Sequence, residues 1–240
     1  MRVVAIVQAR MGSKRLPGKV LMDLGGSSVL ARVVSRVRQC HLVNEVLVAT
    51  STDSSDDAIE KECRALETAI FRGSQNDVLD RYYRAASVAE AKVVVRITAD
   101  CPFLDPEISD RTIQAFLDVH PDYASNTLER TYPRGLDTEV MNFSALEAAW
   151  RDAKEATERE HVTPFLYRHP ERFQLVSVKG DRDYSHHRWT LDTHEDLEFL
   201  RAVCGAFEES VMPSWHDVLR VLDRNPDLCR INQGVEQKKL

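Results

Sequence analysis

Residues 3–20 read VVAIVQARMGSKRLPGKV, and this stretch decides the architecture that the rest of the chain must follow. Val3 to Val7 form a continuous apolar run, which is typical of a strand buried on both faces of a parallel sheet. A basic loop that contains glycine and proline comes next, and apolar residues then recur at helical spacing from Val29 to Cys40. A strand, a loop and a helix in this order open a βαβ unit, so we expect an α/β fold.

The next hundred residues repeat this alternation. Further strands are predicted at Glu45–Thr50, Ala69–Phe71 and Lys92–Ile97, and a helix is predicted to begin at Asp105-Pro106. Such alternation favours right-handed crossovers, and it predicts a mostly parallel mixed sheet with helices on both faces.

After Pro121 the rhythm changes. Strand-like runs at 122–126 and 138–142 flank TLERTYPRGLD, whose proline and glycine predict an excursion or hairpin rather than a crossover. Strand character returns at 173–178 and 188–191, and Thr193 with Asp196 has the spacing of a capping box. We therefore expect one domain over residues 1–222, with residues 122–178 as an inserted segment, and a C-terminal tail over residues 223–240.

The composition of the 240 residues argues against several classes of protein. The 32 Lys and Arg residues against 38 Asp and Glu give a net charge of −6, so we expect no nucleic-acid partner. No apolar run reaches the ~18 residues of a membrane span, and Val3 to Val7 is too short for a signal peptide. The five cysteines form no CxxC or Cys/His pair, which argues against a disulfide scaffold or structural zinc. We expect a cytoplasmic protein.

The basic loop after the first strand is predicted to bind phosphate. Its cations, four within ten residues, are Arg10, Lys14, Arg15 and Lys19. Gly12 lets the backbone approach a ligand, Ser13 adds a hydroxyl, and arginine offers forked donors to phosphate oxygens. The composition suits a triphosphate, although the spacing is neither GxxxxGK[ST] nor GxGxxG. The alternative is a solvated basic turn.

A carboxylate follows the strand that ends near Ile97. Asp100 lies at a strand carboxyl end that faces the basic loop, where Mg²⁺ is held by one or two carboxylates together with phosphate oxygens and water. Asp192, late in the chain, suits a residue at a helix N-terminus that offsets the helix dipole. The residues alone therefore favour one metal carboxylate and leave the second open.

Six segments together carry a family resemblance. They are VQARMGSKRLPGKVL (7–21), FRGSQNDVLDRY (71–82), RITADCPFLDP (96–106), YPRGLDTEV (132–140), EREHVTPFLY (158–167) and RWTLDTHEDLEFL (188–200). In this order they resemble the sugar cytidylyltransferases, which include the sialic-acid and Kdo activating enzymes and especially the SpsF-like spore-coat polysaccharide proteins. The resemblance implies a nucleotidyltransferase (GT-A-like) fold, Mg²⁺ as cofactor and CTP as the nucleotide.

The resemblance also implies roles for residues of this chain. Asp100 and Asp192 match the family's two metal carboxylates. The implied triphosphate contacts are Arg10, Gly12, Ser13, Arg15 and Lys19, of which Arg10 and Lys19 are also counted as catalytic. The implied base and ribose contacts are Thr50, Arg72, Gly73 and Asp77, for which ordinary turn and cap chemistry is the alternative. The chain departs from the sialic-acid and Kdo enzymes in having TADCP at 98–102.

Acceptor recognition is expected mainly of the inserted segment. The candidate residues are Tyr132, Arg134, Asp137, Glu139 and His161. Carboxylates suit sugar hydroxyls, and Arg134 suits an acceptor carboxylate or phosphate. A charged, exposed hairpin is the alternative.

The leading hypothesis is a CTP-dependent nucleotidyltransferase that forms a CMP-activated sugar or sugar acid, nonulosonic or Kdo-like, and releases pyrophosphate for surface polysaccharide synthesis. The first alternative is a GT-A-type glycosyltransferase with a nucleotide-sugar donor, whose diphosphate needs fewer than four cations. A nucleotide-sensing module without activity is the second.

The family resemblance also implies a homodimer formed through residues 122–178. Residues 132–142 look too polar to pack inside their own core, while large apolar side chains lie nearby in the sequence. These side chains are Phe143, Trp150, Phe165 and Tyr167. The alternative is that they only cover the sheet.

Overall fold

The centre of the protein is one mixed sheet. The computed structural model describes residues 1–208 and 211–237. Within those ranges the sheet has seven strands in the order β3-β2-β1-β4-β6-β5-β7. They are β1 (Val3–Gln8), β2 (Glu45–Ser51), β3 (Ala69–Gly73), β4 (Val93–Thr98), β5 (Tyr123–Ser125), β6 (Glu139–Asn142) and β7 (Leu175–Ser177).

The helices of the described ranges pack on both faces of this sheet, except that those after residue 193 pack in a separate cluster. They are α1 (Val29–Val37), α2 (Asp57–Ala65), α3 (Val78–Val88), α4 (Pro106–Val119), α5 (Phe143–Asp152), α6 (Ala156–His161), α7 (Pro164–Tyr167), α8 (His194–Cys204), α9 (Trp215–Arg224) and α10 (Asp227–Arg230). Of these helices, none is both long and apolar enough to cross a membrane.

The opening strand is buried on both faces, as its apolar run predicts. Val4 and Ile6 pack into the core formed with α3, whereas Val3, Ala5 and Val7 pack into the core formed with α1. β1 is parallel to both β2 and β4, and β2 is parallel to β3. β6 is antiparallel to β4 and to β5, so the sheet is mixed and the predicted fold class is confirmed.

The inserted segment is more deeply buried than its polarity predicts. β5 and β6 form the predicted hairpin, but the expectation that residues 132–142 stay outside the core is wrong, since Val140 is fully buried. Glu139 is also buried, because Arg96 forms an ion pair with it and the Tyr123 hydroxyl donates to its Oε1 at 2.5 Å. A charge that is paired and hydrogen-bonded in this way can be accommodated inside a core.

The aromatic residues considered for a dimer contact cover the core of their own chain. Phe165 is buried, and Phe143, Trp150 and Tyr167 are partly buried against the same cluster. Tyr83 stacks on Trp150, with ring centroids 4.2 Å apart. These contacts match the alternative stated for the aromatics, so the homodimer stays an expectation from the family resemblance alone.

The late part of the chain returns to the sheet edge without adding a strand. Residues 188–191 were expected to form one, but in the described ranges they make only an isolated bridge, between Arg188 and Arg134. The Leu191 amide donates instead to the Asp100 carbonyl, which follows β4. The capping box of Thr193 and Asp196 is confirmed at the start of α8.

The C-terminal tail is attached beside this segment. The buried side-chain amide of Asn232 donates to the Arg188 carbonyl at 2.9 Å and to Asp196 Oδ1 at 3.0 Å. Through Asn232, the described part of the tail therefore packs against the start of α8.

Gly135 is required where the inserted segment crosses Trp189. Its φ is +108°, and a Cβ at this position would lie 2.7 Å from the Trp189 carbonyl. We expect Gly135→Ala to lower the free energy of unfolding by at least about 2 kcal/mol in urea denaturation. The control is Gly234→Ala, whose Cβ would meet no atom within 4 Å and which should change stability by less than about 0.5 kcal/mol. Equal stability of the two variants would contradict this reading.

Candidate active site

The carboxyl ends of four parallel strands bring distant residues together. The basic loop follows β1, and Asp100 follows β4, in register with β1 through the pair Gln8 and Thr98. The end of β3 pairs with the end of β2 through Gly73 and Ser51. Predicted residues from four separate strands therefore lie along one edge, the position where open α/β sheets bind ligands.

The basic loop is folded around one carbonyl and left open on its outer side. The amides of Ser13 and Gly18 both donate to the Met11 carbonyl at 2.9 Å, and Gly18 has a φ of +71°. Gly12 is exposed, and a Cβ there would meet no atom within 4 Å. The Arg15 side chain is 40% exposed. Backbone and guanidinium donors of the loop can therefore reach a phosphate ligand.

A residue outside the predicted site set anchors this loop. Asp56 is 1% exposed, and its Oδ1 accepts from the Met11 amide at 2.7 Å. Its Oδ2 accepts from the Thr50 hydroxyl and the Ser51 amide, both at 3.0 Å, and from the Ser51 hydroxyl at 2.5 Å. Asp56 thus ties the loop after β1 to the end of β2. Thr50, a predicted nucleotide contact, donates its hydroxyl hydrogen to Asp56.

The two predicted metal carboxylates are joined by Lys19. Its Nζ donates to Asp100 Oδ2 at 2.6 Å, to Asp192 Oδ1 at 2.8 Å and to the Leu191 carbonyl at 2.6 Å. Burial lowers the pKa of Lys19, but the charges and hydrogen bonds of Asp100 and Asp192 outweigh it and raise the pKa above 10.5. Lys19 is therefore a buried cation held between two anions.

Asp192 receives two further cations on its other oxygen. Its Oδ2 lies 2.9 Å from an Arg15 nitrogen and 2.8 Å from an Arg188 nitrogen, and Arg188 also pairs with the fully buried Asp196. Burial by itself raises the pKa of Asp192, but Lys19, Arg188 and Arg15 hold it at about 2. The carboxylate is therefore ionised throughout the neutral range.

The two carboxylates fit a metal that is shared with a phosphate ligand. In residues 1–208 and 211–237 there is no group of three or more His, Cys, Asp or Glu side chains placed to hold a metal ion. Mg²⁺ commonly takes one or two carboxylates and fills its remaining positions with phosphate oxygens and water. Asp100 and Asp192 match that donor set.

The residues predicted to contact base and ribose lie at the end of β3. Arg72 donates to the Ser51 carbonyl at 2.9 Å and pairs with Glu60 at 2.7 Å. A Cβ on Gly73 would lie 2.9 Å from the Phe71 ring, so the strand end is tightly packed. Asp77 caps α3 and forms an ion pair with Arg159. These contacts hold the strand end in place, and the nucleotide roles stay predictions.

Two acceptor candidates, Arg134 and Asp137, interact with Cys101, the neighbour of Asp100. Arg134 is half-buried, burial lowers its pKa, and its charge interacts with Arg188 and with Cys101, the neighbour of Asp100. Asp137 forms a two-point ion pair with Arg130 at 2.5 and 2.8 Å. Arg134 thus has a charge beside the site for which no ion pair is recorded in the described ranges.

Three other acceptor candidates have different surroundings. Tyr132 is buried in the cluster that contains Trp215, and within the described residues its hydroxyl has no hydrogen-bond partner. Glu139 uses both oxygens inside the protein, on Arg96 and on the hydroxyls of Tyr123 and Thr163. His161 ends α6, next to Glu160, whose carboxylate lies 3.8 Å from Arg10. Their acceptor roles stay predictions.

Replacing the Asp56 carboxylate tests its anchoring role. We expect Asp56→Asn to lower the free energy of unfolding by about 2 kcal/mol, since an amide cannot accept all four hydrogen bonds. We also expect faster hydrogen exchange at the Met11 amide. Asp57→Asn, which breaks only the ion pair of a 64% exposed carboxylate with Arg72, should cost less than about 1 kcal/mol. Unchanged exchange at Met11 in Asp56→Asn would contradict the anchor.

The low pKa of Asp192 predicts an acid-dependent contribution to stability. A folded pKa of about 2, against 3.8, stabilises the protein above pH 3.8, and this contribution is lost as pH falls through 2. We expect the stability difference between wild type and Asp192→Asn to shrink by roughly 2 kcal/mol between pH 5 and pH 2. Asp227→Asn, at an 83% exposed carboxylate, should show no such trend. A difference independent of pH would refute the assignment.

Known proteins resemble this chain over its whole length. The spore coat polysaccharide biosynthesis protein SpsF of Bacillus subtilis is 36% identical over 232 residues, covering 94% of this chain and 95% of the relative. A 3-deoxy-manno-octulosonate cytidylyltransferase of Geobacter sulfurreducens is 33% identical, covering 96% of this chain and 98% of the relative.

A solved structure and a family profile agree with these relatives. The structure of a cytidylyltransferase from Leptospira borgpetersenii superposes with a TM-score of 0.91 at 32% identity, covering 100% of both chains. The profile of the family described as cytidylyltransferase matches residues 4–220. This match takes in the basic loop, Asp100 and Asp192 together. The chain therefore belongs to the cytidylyltransferase family and is a nucleotidyltransferase.

Proposed function

We propose that this enzyme transfers CMP from CTP to a sugar or sugar acid, nonulosonic or Kdo-like, and releases pyrophosphate. The observation that carries the proposal is the pair Asp100 and Asp192 beside an open loop with exposed arginines. A Kdo cytidylyltransferase and SpsF among the relatives support the substrate class and a role in surface polysaccharide synthesis.

Asp100 and Asp192 would hold Mg²⁺ in this reaction. When bound, the ion neutralises triphosphate charge and stabilises the charge that develops during phosphoryl transfer. Both carboxylates are partly exposed, at 23% and 17% of their side-chain surface, so they are accessible to such a ligand.

The protein's own groups act by positioning and charge. Arg10 and Arg15, each about 40% exposed, can bind phosphate oxygens, and the open backbone at Gly12 allows close approach. The acceptor oxygen attacks the α-phosphorus, losing its proton to water where it is a hydroxyl, and the bond from that phosphorus to the oxygen bridging to the β-phosphate breaks. Pyrophosphate then leaves, and the cations of the loop neutralise its negative charge. Chemistry of this kind depends on orientation and electrostatics rather than on a protein nucleophile.

Arg134 supports an anionic acceptor. Its backbone bridges to Arg188, and its guanidinium interacts unfavourably with the charges of Arg130 and Arg188, against a favourable interaction with Asp137. A carboxylate or phosphate on the acceptor would relieve that repulsion and accept two forked hydrogen bonds. A sugar acid or a sugar phosphate therefore suits the site better than a neutral sugar.

Location and assembly belong to the same proposal. Reliance on CTP and the free cysteines support a cytoplasmic enzyme. The homodimer through residues 122–178 rests on the family resemblance, and light scattering of the purified protein tests it. A mass of about 27 kDa at micromolar concentration would exclude the dimer.

A pyrophosphate-release assay tests the activity. With Mg²⁺, the four nucleoside triphosphates and a panel of nonulosonic acids, Kdo and sugar phosphates, we expect turnover with CTP. Asp100→Asn should lower kcat at least about 100-fold, because the metal loses a charged ligand. Asp181→Asn, in the exposed loop sequence Asp181-Arg182-Asp183, should leave kcat unchanged. Full activity of Asp100→Asn, or turnover with nucleotide sugars in place of CTP, would overturn the proposal.

A further inference from the structure

Lys19 makes as many hydrogen bonds as an ammonium group allows. A lysine ammonium has three N–H donors and no acceptor. Those of Lys19 go to Asp100 Oδ2, Asp192 Oδ1 and the Leu191 carbonyl, at 2.6, 2.8 and 2.6 Å. The side chain is only 10% exposed. In this state Lys19 has no donor left for a phosphate oxygen.

Lys19 and the proposed metal ion compete for the same carboxylate group. A metal held by both carboxylates would have to replace Nζ at Asp192 Oδ1, since Asp192 Oδ2 already pairs with Arg15 and Arg188. The family resemblance assigns Lys19 to the triphosphate, and the proposed function assigns the two aspartates to the metal. Both assignments require that the contacts of Lys19 with the aspartates are broken first.

The charges around Lys19 balance without any ligand. Three cations, Lys19, Arg15 and Arg188, form ion pairs with three anions, Asp100, Asp192 and Asp196. A divalent cation that enters alone adds two positive charges and leaves the displaced ammonium without an acid partner. A triphosphate adds several negative charges, and its oxygens can accept hydrogen bonds from the displaced ammonium.

The lysine can make this exchange without rearranging the backbone. Its charge is carried on a flexible four-carbon stem, so Nζ can move while the main chain stays in place. Gly18 on its N-terminal side leads directly back to the open basic loop, where Arg15 remains 40% exposed. The phosphate oxygens therefore arrive on the side from which Lys19 projects.

We propose that Lys19 occupies the place of the metal ion before substrate binds, and that the nucleoside triphosphate draws its ammonium away and so frees Asp100 and Asp192 for the metal. This inference rests on the proposed function. It means that the metal alone binds weakly and that nucleotide and metal strengthen each other's binding. Because linkage is reciprocal, each changes the affinity of the other by the same factor.

Manganese binding without nucleotide tests the exchange. Free Mn²⁺ is measured by electron paramagnetic resonance in the presence of wild type, Lys19→Met and Lys19→Gln. We expect the dissociation constant for Mn²⁺ alone to fall at least about 5-fold in both variants, the lower end of typical coupling between sites. Lys14→Met removes an exposed lysine from the same loop and should bind Mn²⁺ as weakly as wild type.

A double variant shows where the gained ion binds. Adding Asp192→Asn to Lys19→Met should abolish the gain in Mn²⁺ affinity. A gain that survives in the double variant overturns the inference, and so does an equal affinity of wild type and Lys19→Met. Circular dichroism confirms folding of each variant, and Lys19→Gln, which keeps a hydrogen-bond donor, carries the comparison if Lys19→Met does not fold.

A measurement on wild type alone completes the test. We expect a non-hydrolysable CTP analogue to tighten Mn²⁺ binding, and equal Mn²⁺ affinity with and without the analogue overturns the inference. Pyrophosphate release is scored separately. Turnover of CTP without any gain in Lys19→Met leaves the proposed function standing and refutes only the role of Lys19. Tighter Mn²⁺ binding in Lys19→Met without turnover on any acceptor supports the role of Lys19 and refutes the proposed function.

Discussion

The ionic contacts of Asp192 hold the site together. Its carboxylate accepts from Lys19 and Arg15, which belong to the loop after the first strand, and from Arg188, four residues before it. Lys19 carries the connection to Asp100 after β4. One carboxylate thus fixes three segments that are far apart in the sequence. Because the group is partly buried, these pairs are screened less by solvent and salt than surface pairs are.

Two further buried carboxylates are held by hydrogen bonds within the fold. Asp56 accepts four hydrogen bonds between β1 and β2, and Glu139 accepts from Arg96 and two hydroxyls between β4 and β6. An unpaired charge at such positions is costly, so each carboxylate is tied to its particular partners. The result is a rigid edge of the sheet on which an open, arginine-bearing loop can present its donors to a nucleotide.

Much of this arrangement could be foreseen from local pattern. The apolar run at Val3 to Val7, the next three strands and the capping box at Thr193 depend on neighbouring residues, and each was found where it was expected. Parallel strands place their carboxyl ends at one edge, so the basic loop and Asp100 had to lie near each other. Asp192 was predicted to be a metal residue only through the family resemblance, because its spacing equally suits a helix start.

The sequence alone therefore determined the α/β class, the basic loop and the carboxylate that faces it, since periodicity and strand ends are local properties. The tertiary structure alone decided which charges pair. It made Asp56 the anchor of the loop, buried Glu139 against Arg96, and set Lys19 between Asp100 and Asp192. Such pairs join residues tens of positions apart, and their geometry depends on how whole elements pack, which no local pattern encodes.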